Sequence, residues 1–197
     1  QLALCHSKHS HRRITMDYFP LFARLHGTRC LIVGGGEVAV RKAKQLLRAG
    51  AAITIVAPAI HAELEQLASE GKLDLRREQF SKELIAGYQL IVAATSATEV
   101  NREVASAALH AQRFCNVVDD RELSSVIVPA VIDRSPLLIA VTTGGSSPVL
   151  ATRIRQEIEA LFPPARGAIS LMPGTGSNPA FRRVDVDVET GKVKGVF

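Results

Sequence analysis

The stretch Cys30-Leu31-Ile32-Val33-Gly34-Gly35-Gly36-Glu37-Val38-Ala39 constrains this chain more than any other. An apolar run that ends in glycines predicts a buried strand entering a tight turn, and residues 38–48 predict a helix stopped by Gly50. Gly34 to Ala39 fits G-x-G-x-x-A. In that pattern the first glycine permits the turn, the second lets the backbone approach a pyrophosphate, and the alanine lets helix and strand pack closely. The helix start then points free N–H groups at the phosphates. Set between a strand and a helix, the motif predicts a dinucleotide-binding βαβ unit; a glycine-rich turn without a ligand is the plainer alternative.

The alternation continues. Strands are predicted at 53–56, 73–76, 89–93 and 114–118, with helices at 60–69 and 99–111. This spacing implies an α/β fold, a Rossmann-type doubly wound, mostly parallel sheet over residues 16–124. The pattern then changes to a small α+β region over 125–164. Two β-rich runs, 126–132 and 137–142, flank the turn Asp133-Arg134-Ser135-Pro136. The loop Thr142-Thr143-Gly144-Gly145-Ser146-Ser147-Pro148 opens a helix over 149–161, which Pro163 and Pro164 stop.

Both ends differ from this. Residues 1–15 lack periodicity and read as a disordered tail, with Met16 as the natural start; His6, His9 and His11 there read as tail rather than as a metal site. Residues 165–197 are an atypical tail, rich in Gly, Pro, Ser and Asn up to Pro179, with one weak alternating stretch at 183–188.

Charge and cysteine usage narrow the partners. The net charge is +5, but the basic residues are dispersed and there is no tryptophan, so nucleic acid is not expected and an acidic small molecule suits the charge better. No run approaches the ~18 apolar residues of a membrane span, and the first fifteen residues lack a signal-peptide core. Cys5, Cys30 and Cys115 are too scattered for a disulfide framework, which fits a reduced, cytoplasmic compartment.

The candidate cofactor-binding residues read at this point are Gly34 and Gly36 of the motif, Pro58 and Ala59 after the second strand, and Thr95 in the polar turn after the run at 89–93. The second strand ends at Val56-Ala57-Pro58-Ala59, with neither an acid for the ribose hydroxyls nor an arginine for a 2′-phosphate, so residues alone leave NAD against NADP open. Asp119 ends the strand at 114–118, where ligand crevices of open α/β sheets lie, and is placed to take a proton from a substrate. A helix or turn cap is the competing reading, a role that Asp120 could fill equally well. The 142–148 loop could hold an anion or simply join strand to helix. No metal-ligating set is assigned.

Five stretches carry a resemblance: MDYFPLF (16–22), CLIVGGGEVAVRKA (30–43), FCNVVD (114–119), VPAVIDRSPLLIAVTTGGSSPVLA (128–151) and the helix through Leu161. Over about three quarters of its length the chain resembles the siroheme synthase family, in its precorrin-2 dehydrogenase and sirohydrochlorin ferrochelatase module. The resemblance implies NAD-dependent oxidation of precorrin-2 to sirohydrochlorin, then Fe(II) insertion to give siroheme. It implies a homodimer built from the region after residue 124, and a tetrapyrrole substrate. It also implies that Asp119 serves both steps and that Glu37, Val38, Pro58 and Ala59 touch NAD. Some members carry a phosphorylatable serine where this chain has Thr143. The resemblance stops near Pro164, so the dimerisation and tetrapyrrole region is expected to be incomplete. The alternative is a non-catalytic NAD-binding module or a truncated remnant of such an enzyme. An unrelated small Rossmann oxidoreductase would need a Tyr-x-x-x-Lys pair, and Tyr88 is followed four residues on by Val92.

Overall fold

The computed structural model describes residues 17–134 and 137–161, and the backbone of two further strands at 184–186 and 193–196. The expected tail over 1–15, the start at Met16, the residues Ser135 and Pro136 of the turn, and the helix stop at Pro163 and Pro164 lie outside the described residues. The chain divides between Val128 and Pro129 into two compact units.

The first unit alternates strand and helix: β1 Arg29–Val33, α1 Glu37–Arg48, β2 Ala52–Val56, α2 Ala62–Ser69, β3 Asp74–Arg76, β4 Leu90–Ala93, α3 Thr98–His110 and β5 Phe114–Val117. The strands form one parallel sheet in the order β3-β2-β1-β4-β5. That order reverses direction beside β1, which opens a crevice at the carboxyl ends of the strands.

Both faces of the sheet are covered, so β1, β2 and β4 are almost wholly apolar, while the edge strand β3 alternates. On one face Cys30, Ile32, Ile53, Ile55 and Val92 pack with Ala39, Val40 and Ala43 of α1 and Leu64 of α2. On the other, Leu31, Val33, Ile91, Ala93, Cys115 and Val117 pack with Val104, Ala105 and Ala108 of α3. Each fully buried large side chain, such as Leu31, Ile55 or Ile91, stabilises the fold by ~1.5–3 kcal/mol. Alanines supply most of the buried face of α1, so that helix lies close over the strand that feeds it.

A 3₁₀ helix at Lys82–Gly87 bridges β3 and β4. It buries Ile85, and the sequence pattern did not predict it.

In the second unit β6 Ala130–Arg134 pairs antiparallel with β7 Leu137–Val141, and α4 Pro148–Leu161 packs on both. Two expectations shift here. The strand expected at 126–132 begins only at Ala130, because Val126 is used on the edge of β5 and Pro129 cannot donate to a ladder. Asp133 and Arg134, read as turn residues, are instead the last residues of β6, opposite Leu138 and Leu137. Two short strands, β8 Val184–Val186 and β9 Val193–Val196, pair antiparallel; β8 falls in the weak alternating stretch at 183–188. Among the described residues no helix is long and apolar enough to cross a membrane.

Candidate functional site

Three loops meet at the carboxyl edge of the sheet, and the three glycines that follow β1 hold them together for different reasons. Gly34 is buried with φ +125°, and its N–H donates to Val56 O at 2.9 Å. A Cβ there would lie 2.3 Å from the Ala94 carbonyl oxygen. Gly35 has the same constraint on the other side: its Cβ would fall 2.0 Å from the Ala59 oxygen, and its own carbonyl accepts from His61 N–H at 2.8 Å. The fold therefore requires both. Sequence reasoning assigned no role to Gly35; the signal was only that three glycines stand in a row.

Gly36 is different. Its φ is −89°, and a Cβ added to it would have nothing within 4 Å among the described residues. Neither backbone strain nor protein packing demands a glycine here. The open space sits over the start of α1, where Gly36 is the N-cap without a side-chain hydrogen bond. The first N–H groups of α1 thus face open space with the positive end of the helix dipole behind them. A cradle that a Cβ would partly fill, lined by N–H donors, fits a dinucleotide pyrophosphate.

The remaining predicted cofactor residues border this cradle. Glu37 and Val38 form the first turn of α1, with Glu37 exposed and Val38 half-buried. Pro58 and Ala59 lie exposed on the loop after β2, beside Gly35. Thr95 follows β4, beside Gly34. Its hydroxyl donates to Asn101 Oδ1 at 2.8 Å and accepts from Ala97 N–H at 3.1 Å, and Asn101 Nδ2 donates back to Thr95 O at 3.0 Å. Those bonds fix the turn, so Thr95 shapes the edge through its backbone as much as through its hydroxyl.

Asp119 stands on the same edge, two residues beyond β5. It is exposed and holds φ +60°, in the left-handed region that Asp tolerates better than most residues. Asp120 beside it is the turn cap: its Oδ1 accepts from Leu123 N–H at 3.0 Å, and its carbonyl accepts from the Ser124 hydroxyl at 2.6 Å. The two neighbouring carboxylates therefore have different surroundings.

Asp119 has a charged neighbour on α1. Burial pulls the Lys42 ammonium below the ordinary lysine range, Arg41 pushes it the same way, and the Asp119 carboxylate pulls it back up. Nearby in β5, Asn116 is buried; its amide donates to Val126 O at 3.1 Å, while its Oδ1 has no hydrogen-bond partner among the described residues. Sequence reasoning assigned neither residue a role. For Asn116 the available signal was a polar amide inside an apolar strand.

In the second unit the 142–148 loop is internally bonded. The Thr143 hydroxyl accepts from Ser147 N–H and donates to Ser147 O, both at 3.0 Å, and the Ser147 hydroxyl accepts from Leu150 N–H at 3.3 Å to cap α4. Among the described residues no group of three or more His, Cys, Asp or Glu could hold a metal ion.

Residues 21–130 match a family described as putative NAD(P)-binding, and residues 134–161 match the sirohaem biosynthesis protein central family. The chain is 48% identical over 160 residues to siroheme synthase 3 of Aeromonas hydrophila subsp. hydrophila, covering 81% of this chain and 34% of that protein. It is 50% identical over 155 residues to the siroheme synthase of Chromobacterium violaceum, covering 79% and 33%. It spans about a third of the length of these curated relatives. Among solved structures, SirC, a precorrin-2 dehydrogenase, superposes with a TM-score of 0.65 at 31% identity, over 73% of this chain and 70% of that one. With more than half its length in the NAD(P)-binding match and this identity to siroheme synthases, the chain belongs to the siroheme synthase family.

Proposed function

We propose that this chain oxidises precorrin-2 to sirohydrochlorin with NAD, and that the same edge of the sheet serves Fe(II) insertion to give siroheme. The observation that carries the reading is Asp119, an exposed carboxylate on the edge that holds the glycine cradle, with the turn-capping duty taken by Asp120. Asp119 is thereby left available for chemistry.

The residues divide the work. The backbone at Gly34–Gly36 and the first turn of α1 hold the pyrophosphate, with Gly36 giving the close approach. Pro58 and Ala59 border the adenosine side, and Thr95 the β4 side. Bound there, NAD supplies the hydride acceptor. Oxidation also releases a proton from the substrate, and Asp119 receives it. In the chelation step Fe(II) is a substrate, and Asp119 again accepts protons, now from the pyrrole nitrogens. Lys42 lies close enough for its ammonium to feel the Asp119 charge. The net charge of +5 suits a tetrapyrrole that carries many carboxylates.

The test is direct. The purified chain is incubated with precorrin-2 and NAD, and the sirohydrochlorin spectrum is followed, then its change on adding Fe(II). Asp119→Asn keeps the size and the tolerance of left-handed backbone but removes the basic group. Both steps are expected to slow by about a hundredfold or more, with NAD binding retained. Full activity in that variant removes the assignment of Asp119.

A further inference from the structure

Lys42 is a cation that the chain carries into its own interior without a close counter-charge. Val38, Lys42 and Leu46 stand four residues apart and form one stripe of α1. Val38 and Leu46 pack against the core on this side of the sheet, as does Val118 just beyond β5, and Lys42 is half-buried between its two neighbours on the stripe. Lys44 of the same helix pairs with Glu63. Among the described residues neither Arg41 nor Lys42 forms an ion pair within 4.0 Å. Burial strips the Lys42 ammonium of water, Arg41 repels it, and Asp119 acts on it only as a neighbouring charge. A cation so placed is costly until an anion completes it.

A second group on the same side of the sheet is also incomplete. Side chains alternate along a strand, and Cys115 and Val117 face the α3 cluster, so Asn116 faces the α1 side. Asn116 is 7% exposed, and its Oδ1 has no partner among the described residues. Asp119 stands beyond it on the carboxyl edge. One side of the sheet thus carries an ammonium near two acceptors, Asn116 Oδ1 and the Asp119 carboxylate. That pattern is complementary to a tetrapyrrole, which has carboxylates on its rim and N–H groups within its ring.

We propose that Lys42 binds a rim carboxylate of the tetrapyrrole and so sets which edge of the macrocycle faces Asp119. This rests on the tetrapyrrole reading of the site given above.

Titration of the full chain with metal-free sirohydrochlorin, followed by its absorption, tests it. Lys42→Met keeps the apolar stem that fills the stripe and removes only the charge. The dissociation constant is expected to rise by about tenfold or more. Lys42→Arg keeps the charge and should stay within about threefold of the parent chain. A role limited to packing would instead leave Lys42→Met unchanged and disturb Lys42→Arg. With precorrin-2 as substrate, Lys42→Met should raise KM with kcat within about threefold. NAD titration of each variant reports whether its glycine cradle is intact, and Lys42→Gln repeats the comparison with a polar neutral side chain. Unchanged sirohydrochlorin binding in Lys42→Met overturns the inference and leaves the proposed reaction standing. A parent chain that binds sirohydrochlorin through Lys42 yet leaves precorrin-2 unoxidised overturns the proposed reaction alone. A parent chain that does not bind sirohydrochlorin overturns the inference, and one that also leaves precorrin-2 unoxidised overturns both.

Discussion

Asp119 and Asp120 have the same side chain, and only the backbone tells them apart. The turn gives Asp119 φ +60° and places the Asp120 carboxylate where it can accept from Leu123 N–H. No periodicity or composition predicts that division, because it depends on one dihedral angle and one bond three residues on. It has a measurable counterpart. Asp120→Ala is expected to lower stability by about 1 kcal/mol, the weight of a lost capping bond, and to leave the rate of precorrin-2 oxidation within about threefold of wild type. Asp119→Asn should show the reverse pattern. Urea denaturation and initial rates on the two variants separate the effects; a hundredfold rate loss in Asp120→Ala would move the chemistry to the wrong carboxylate. Cys30 in β1 and Cys115 in β5 are buried thiols of the core. Burial pushes Cys30 and Cys115 from 9.0 up to about 11. Between those values the folded chain keeps thiol protons that the unfolded chain has lost. Their contribution to stability is therefore complete below pH 9.0 and is lost as pH rises through about 11. Thermal melts from about pH 8 to about pH 11 should show a smaller alkaline fall in Tm for Cys115→Ala than for the parent chain.

At the level of elements, four of the five strands of the sheet were legible as apolar runs stopped by glycine, proline or a polar turn, and the short edge strand β3 as an alternation. The 3₁₀ helix at Lys82–Gly87 was not, since a six-residue element has too few turns to show a helical period. The run at 126–132 misled for a different reason. β5 is the last strand of the sheet, and the chain that follows folds back along it without forming a strand. Ser125 Oγ accepts from Cys115 N–H at 2.8 Å and Ser124 Oγ accepts from Val117 N–H at 2.9 Å, while Ser125 and Val126 N–H both donate to Cys115 O. Two hydroxyls do what carbonyls of a sixth strand would do, and hydroxyl positions leave no trace in a hydrophobic pattern. Ser124→Ala leaves the Val117 N–H without this partner and is expected to cost about 1–3 kcal/mol. Ser146→Ala, on an exposed loop, should change stability by no more than about 0.5 kcal/mol. Equal midpoints for the two variants in a urea titration would show that the β5 edge does not depend on serine.

At the scale of the whole molecule, the sequence conveyed the change from parallel sheet to hairpin and helix but not what covers the second unit. There α4 packs on β6 and β7 yet leaves Val149 80% exposed, with Leu150, Val131 and Leu138 also exposed. A homodimer formed through this unit would bury that apolar surface, as the resemblance to the siroheme synthase family implies. Sedimentation velocity at micromolar concentration is expected to give a dimer, and Leu150→Glu to shift it towards monomer. A monomeric parent chain under those conditions removes the dimer. The glycine run has one more consequence, which concerns how such a protein would decay. Gly34 and Gly35 are required by neighbouring carbonyls of the protein itself, whereas nothing among the described residues crowds Gly36. A descendant released from selection for binding would keep the first two glycines as long as it folded and would lose the third to drift. Of the three, Gly36 is the one whose retention records that a ligand still matters.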